Sequence, residues 1–134
     1  MQIEDWEKLD RERYSLISNF DGTDYKISVF VQENSKSIKI WVGVSSGNKR
    51  KHLEIYEDSE VVRVGGIKAL LWIKNEILRF GTLYGEEYKG NLKVYMCIEW
   101  ADSRRRDIYH RSLSKEGFRF GMDEGEKILI KRLK

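Results

Sequence analysis

The chain has 134 residues, enough for one domain with a core of its own and no covalent staples. Charged residues make up 35% and hydrophobic residues 40%, which excludes a disordered chain. The formal net charge of +3 permits nucleic-acid or acidic partners without demanding them. A single cysteine, Cys97, excludes an internal disulfide, and with only His52 and His110 there is no recognisable zinc pattern. Cys97 lies in the run LKVYMCIEW, where a buried thiol is expected. No apolar run approaches membrane-spanning length and no signal peptide is visible, so a cytoplasmic location is the expectation.

In chain order, Ile3, Trp6 and Leu9 recur at helical spacing among charges, which predicts a short amphipathic helix over residues 2–13. A first strand is expected over residues 14–20, and Asp21-Gly22 is a hairpin turn signal. Tyr25, Ile27, Val29 and Val31 alternate along a second strand. Ile40 and Val42 continue that face on a third strand over residues 38–44, while Trp41 and Gly43 point the other way. A loop over residues 45–51 carries Lys49, Arg50 and Lys51, and a short fourth strand is expected over residues 53–57. Together these runs predict an antiparallel meander.

The stretch the chain is organised around follows, VVRVGGIKALLWIKNEILRF over residues 61–80. Gly65 and Gly66 allow a sharp turn, and Ile67, Ala69, Leu70, Leu71, Ile73, Ile77 and Leu78 then fit a helix period. Lys68, Asn75 and Arg79 share a narrow polar stripe with Trp72. Such a helix needs cover on most sides, so it is expected to lie across the sheet, with Gly81 as its stop. A charged loop over residues 85–91 leads to the strand Leu92–Trp100. That strand is apolar on both faces and therefore suited to the middle of a sheet. Asp102 or Ser103 is a natural cap for a basic helix reaching about Lys115 and ended by Gly117, with Ile108, Tyr109 and Leu113 as its thin apolar face. Residues 118–133 read as a closing hairpin around Asp123-Glu124-Gly125-Glu126. The expected fold class is α+β: a single antiparallel-rich mixed sheet with a central helix and a second helix packed on it.

This order resembles a truncated, divergent GCN5-related N-acetyltransferase (GNAT) domain over roughly residues 53–133. In that family a meander ends at a phosphate-binding turn, R/Q-x-x-G-x-G/A, which opens a helix. Arg63, Val64, Gly65, Gly66 and Ile67 match its first part, with Lys68 where the last glycine would stand. The run SLSKEGFRFG resembles the family's common Y-x-K-x-GF ending, with Gly117 and Phe118 in register and Leu113 in place of the tyrosine. Asp102 lies near the position where the family often has an asparagine. The resemblance implies binding of acetyl-CoA and transfer of an acetyl group to an amine.

Such chemistry needs a cradle of main-chain donors for a pyrophosphate, for which Arg63, Val64, Gly65, Gly66, Ile67 and Lys68 are the candidates. It needs a base, for which Glu54 or Glu57 is the candidate, and an acid, for which Tyr109 is the replacement. A plain turn, solvated carboxylates and a packed tyrosine ring are the bland alternatives. The densest basic patch is Arg104, Arg105, Arg106 and Arg111 with His110, either a solvated helix end or a site for phosphate or an acidic partner. Lys49, Arg50, Lys51 and His52 form a second basic cluster. Aromatic residues near these clusters are few, so base stacking is not indicated there. The competing function is a non-catalytic interaction protein that binds a protein or nucleotide partner through basic and aromatic surface residues, which an exposed Trp41 or Trp72 would support. A third possibility, a ribonuclease-H-like fold, requires Asp21, Glu76 and Asp102 to converge on a metal ion.

Overall fold

A computed structural model describes residues 1–47, 66–99, 107 and 110–134. Within them the chain is α+β, with one mixed, mostly antiparallel sheet of seven strands. The strands are β1 (Glu7–Lys8), β2 (Arg13–Phe20), β3 (Thr23–Glu33), β4 (Ser37–Gly47), β5 (Lys93–Ile98), β6 (Arg119–Asp123) and β7 (Glu126–Arg132). Their spatial order is β1-β2-β3-β4-β5-β7-β6. Every pairing is antiparallel except β4 with β5, which runs parallel from Ser37 beside Lys93 to Val42 beside Ile98. A parallel pair needs a crossover, and the helix α1 (Gly66–Glu87) provides it.

The alternating pattern of β3 and β4 dictates the sheet's two faces. Tyr14, Leu16, Tyr25, Ile27, Val29, Ile38, Ile40, Val42 and Val44 fall on one face and are buried, joined by Val94, Met96, Ile98 and Leu129 from the C-terminal half. α1 lies on this face and inserts Ala69, Ile73, Ile77 and Phe80 into the core. Phe80 is its centre: Trp6 and Tyr14 meet it at 5.0 and 5.1 Å between ring centroids, and Tyr84 stacks on it at 6.4 Å. Residues 110–113 are helical and pass into a 3₁₀ turn, Ser114–Glu116. Leu113 and Phe118 enter the same core, and Lys74 of α1 pairs with Glu116 at 3.5 Å, so this helix lies beside α1.

Two turns follow the expected chemistry. Asp21 and Gly22 (φ 52 and 84) join β2 to β3, and Glu124 and Gly125 (φ 48 and 81) join β6 to β7. Both pairs of positive φ are the mirror-image turn that suits strand twist. Gly117, at φ 93, ends the 3₁₀ turn as expected, and β5 lies inside the sheet between β4 and β7.

Three expectations are corrected. Residues 2–13 hold no helix: Trp6 N–H bonds Ile3 C=O at 3.1 Å in a single turn, and Asp5 has φ 70. The Asp10 carboxylate then accepts from Glu12 N–H and Arg13 N–H, turning the chain from β1 into β2. Ile3 and Trp6 are buried by that turn, whereas Leu9 is 53% exposed. Gly81 does not stop α1, which continues to Glu87. A Cβ at Gly81 would stand 3.3 Å from Leu133 Cδ2 and Met96 Cε, so this glycine permits close packing. The expected loop from residue 85 therefore begins after Glu87, where Lys134 Nζ donates to the Gly85 and Tyr88 carbonyls near the helix end.

The sheet is also curled. β4 and β6 are separated by β5 and β7, three spacings or about 14 Å across a flat sheet. Yet Lys39 Nζ of β4 lies 3.1 Å from Asp123 Oδ1 of β6. Both side chains belong to the face opposite α1, so the closing hairpin bends over that face.

Candidate functional site

Most residues expected to carry chemistry lie outside the described residues: Glu54, Glu57, Arg63, Val64, Gly65, Arg104, Arg105, Arg106 and Tyr109, together with the Lys49–His52 cluster. Gly66 and Ile67 are the first residues of α1, and Lys68 is in its first turn. Arg111 is exposed on the second helix. His110 stacks on Phe120 at 4.2 Å and 20°, so its ring is held against the sheet rather than extended with Arg111. Leu113, in the place where the resembled family has a tyrosine, is 1% exposed and carries no proton to give.

Of the carboxylates a ribonuclease-H-like metal site would need, Asp102 lies outside the described residues and Glu76 is engaged elsewhere. Its carboxylate accepts from Trp6 Nε1 at 3.2 Å and from Arg79 Nε at 2.8 Å, while Arg79 also donates to Glu4 C=O. Glu76 thus fastens the N-terminal segment to α1. Among the described residues no group of three or more metal-binding side chains occurs.

The carboxyl ends of β4 and β5 define the first candidate site. The parallel pairing ends with Val42 beside Ile98, followed by a bond from Glu99 N–H to Val42 C=O at 3.3 Å. β4 continues to Gly47, paired with β3, and no described strand flanks it on the β5 side beyond Val42. From this edge one connection leads to α1 and the other to the second helix. In open α/β sheets ligands bind outside the carboxyl ends of the strands, at a topological switch point.

The second candidate site is the sheet face opposite α1, and sequence reasoning had only half seen it. Register places Arg13, Phe30, Trp41, Cys97, Ile130 and Arg119 in one row across five strands and the sheet's far edge. The neighbouring row holds Gln32, Lys39, Tyr95 and Arg132. Phe30, Trp41 and Tyr95 are half-buried, and no described helix lies on this face. The Arg13 guanidinium stands 5.6 Å from the Phe30 ring centre, and Lys39 Nζ stands 5.9 Å from that of Trp41. Trp41 Nε1–H donates to Gln32 Oε1 at 3.1 Å, which fixes the indole. Between these groups lies a depression of about 300 Å3 lined by Arg13, Ser28, Phe30, Trp41, Gly43 and Glu99. The signal in the sequence was an outward position of β3 or β4 taken by a large aromatic, Phe30 or Trp41, where alternation calls for a polar residue.

Cys97 sits in the same row but is fully buried. Burial pushes its thiol up to about 12, Lys39 pulls the other way, and Asp123 and Glu99 add to the rise. It is a packing residue and not a nucleophile at neutral pH.

No family model, curated protein or solved structure matches this chain. No described helix is long and apolar enough to cross a membrane.

Proposed function

We propose that this protein is a small GNAT-like domain that binds acetyl-CoA at the carboxyl ends of β4 and β5. The observation that carries the reading is the single parallel pair among the described strands, with α1 as its crossover. A helix opening after the carboxyl end of a strand suits an anion, because its first N–H groups lack partners within the helix. Gly66 begins that helix, and Lys68 adds a cation in its first turn. Acetyl transfer to an amine needs an acid that Leu113 does not supply, so under this reading a transferase must draw it from elsewhere, with Tyr109 as the candidate.

Thermal unfolding with coenzyme A tests this directly. Ligand at a hundredfold excess over Kd stabilises by about 2.7 kcal/mol, which raises Tm by several degrees in a chain of this size. Lys68→Glu should reduce that rise. An unchanged Tm at millimolar coenzyme A sinks the reading.

A second reading, an interaction module for a protein or nucleotide partner, is favoured by Trp41 standing on the face that no described helix covers. Trp72 does not add to it, since it packs against Phe20 at 5.7 Å.

A further inference from the structure

We infer that the depression lined by Arg13, Phe30 and Trp41 on the sheet face opposite α1, beside the closing hairpin that bends over that face, is a binding surface for single-stranded nucleic acid, with Phe30 and Trp41 as its stacking platform and Tyr95 beside them. This deepens the interaction-module reading and is independent of the cofactor reading, which uses the strand ends.

Three observations converge. The first is aromatic spacing. Phe30 and Trp41 are directly opposed on adjacent antiparallel strands, and Tyr95 is diagonal to Trp41 on β5. Neighbouring strands lie about 4.8 Å apart, so each ring can meet its own base once the strand is splayed. Two or three bases on a sheet face is a load such platforms carry.

The second is charge. Arg13, Lys26, Lys39, Lys93, Arg119 and Arg132 all fall on this face, against Glu7, Asp24, Asp123 and Glu126. Asp24 is buried and accepts from Asn19 Nδ2 at 2.8 Å, and Asp123 is taken by Lys39. Lys26, Lys93 and Arg119 form no ion pair among the described residues. Arg13 and Lys39 stand beside Phe30 and Trp41 but are themselves paired, with Asp10 at 3.9 Å and Asp123 at 3.1 Å, so the unpaired positive charge of this face comes from Lys26, Lys93 and Arg119. Glu99, at the rim of the depression, disfavours phosphate there and leaves Arg13 on the opposite side of the rings as the backbone contact.

The third is preorganisation. The Trp41 indole is held by Gln32. A fixed ring loses little freedom when a base stacks on it. An apolar protein partner would not need these cations, and a duplex keeps its bases stacked inside. An unpaired strand matches both the rings and the charge.

The experiment is fluorescence anisotropy of labelled dT12 and rU12 with the whole chain across a salt series, with a duplex of mixed sequence as competitor. Single strands should bind, affinity should fall with salt, and the duplex should compete poorly. Trp41→Ala and Phe30→Ala should each weaken binding about five- to a hundredfold. Arg13→Ala with Arg132→Ala, both at exposed positions, should lower the salt slope by about 1.4, at roughly 0.7 for each single-strand phosphate no longer neutralised. The coenzyme A response should be the same in all these variants as in the parent chain. No binding at low salt overturns the inference, as does preferential binding of the duplex. So does binding that survives both ring removals in variants whose unfolding remains cooperative. If a ring variant fails to fold, the paired arginine variant decides, because an unchanged salt slope refutes the surface.

Discussion

Single residues in this protein are set by what they are pressed against. Cys97 is buried in the middle of the sheet, and its thiol is held up to about 12 chiefly by that burial. In the unfolded chain a cysteine titrates near about 8.5. The folded state thus keeps its proton longer, so this contribution to stability is complete below about 8.5 and is lost as pH rises towards about 12. Tyr84 is shifted the same way, by burial first and then by Glu33. Alkaline melts should show Tm falling over that range, with a shallower fall in Cys97→Ala. A thiol reagent at neutral pH should leave Cys97 untouched until denaturant is added. Rapid labelling of the native chain would contradict the burial. Glu76 is the other residue to probe, since it joins Trp6 and Arg79. Glu76→Ala leaves a part-buried indole N–H without this acceptor, at a cost of about 1–3 kcal/mol measurable by urea unfolding.

At the scale of elements, α1 shows which signals are legible. Its apolar period was readable because Ala69, Ile73, Ile77 and Phe80 must face one sheet. Its end was not, because a glycine looks the same in sequence whether it stops a helix or makes room for a neighbour. Gly81→Val should cost about 1–3 kcal/mol through collision with Leu133 and Met96. A helix terminus at that position would have tolerated it. Phe80→Ala should cost more, about 3–5 kcal/mol, since it empties the space shared by Trp6, Tyr14 and Tyr84. The N-terminal segment misled for a related reason. Ile3 and Trp6 are three apart, a spacing that one isolated turn satisfies as well as a helix does, and Asp5 at φ 70 breaks the repeat. Strands were read better, because a two-residue period across β3 and β4 has no comparable rival.

At the scale of the whole molecule, the class of fold followed from the order of apolar runs and turn residues. The parallel joining of β4 to β5 did not, because pairing between distant strands leaves no local mark. The candidate site divides in the same way. The glycine pair and the basic clusters stand out as motifs but lie, apart from Gly66, His110 and Arg111, outside the described residues, whereas the platform of Phe30, Trp41 and Tyr95 exists only once three strands are aligned. The curl that carries Asp123 to Lys39 belongs to this level too. Asp123→Asn keeps the shape but removes the charge. It should leave the fold intact and tighten any anionic ligand on that face, which a titration against dT12 would read.

The lone parallel junction also bears on how the molecule assembles. On one side of it stand β1 to β4, linked by short reversals, and on the other β5, β7 and β6. Each part can organise from nearby contacts, but Ile38 meets Val94 only after a long excursion of the chain has closed. That closure should set the pace of refolding, so Ile40→Val and Met96→Leu should slow it more than equally destabilising changes within the β2–β3 hairpin. Until it happens both strands present bare hydrogen-bonding edges, and a crowded refolding mixture should lose material to cross-chain pairing at this zipper first.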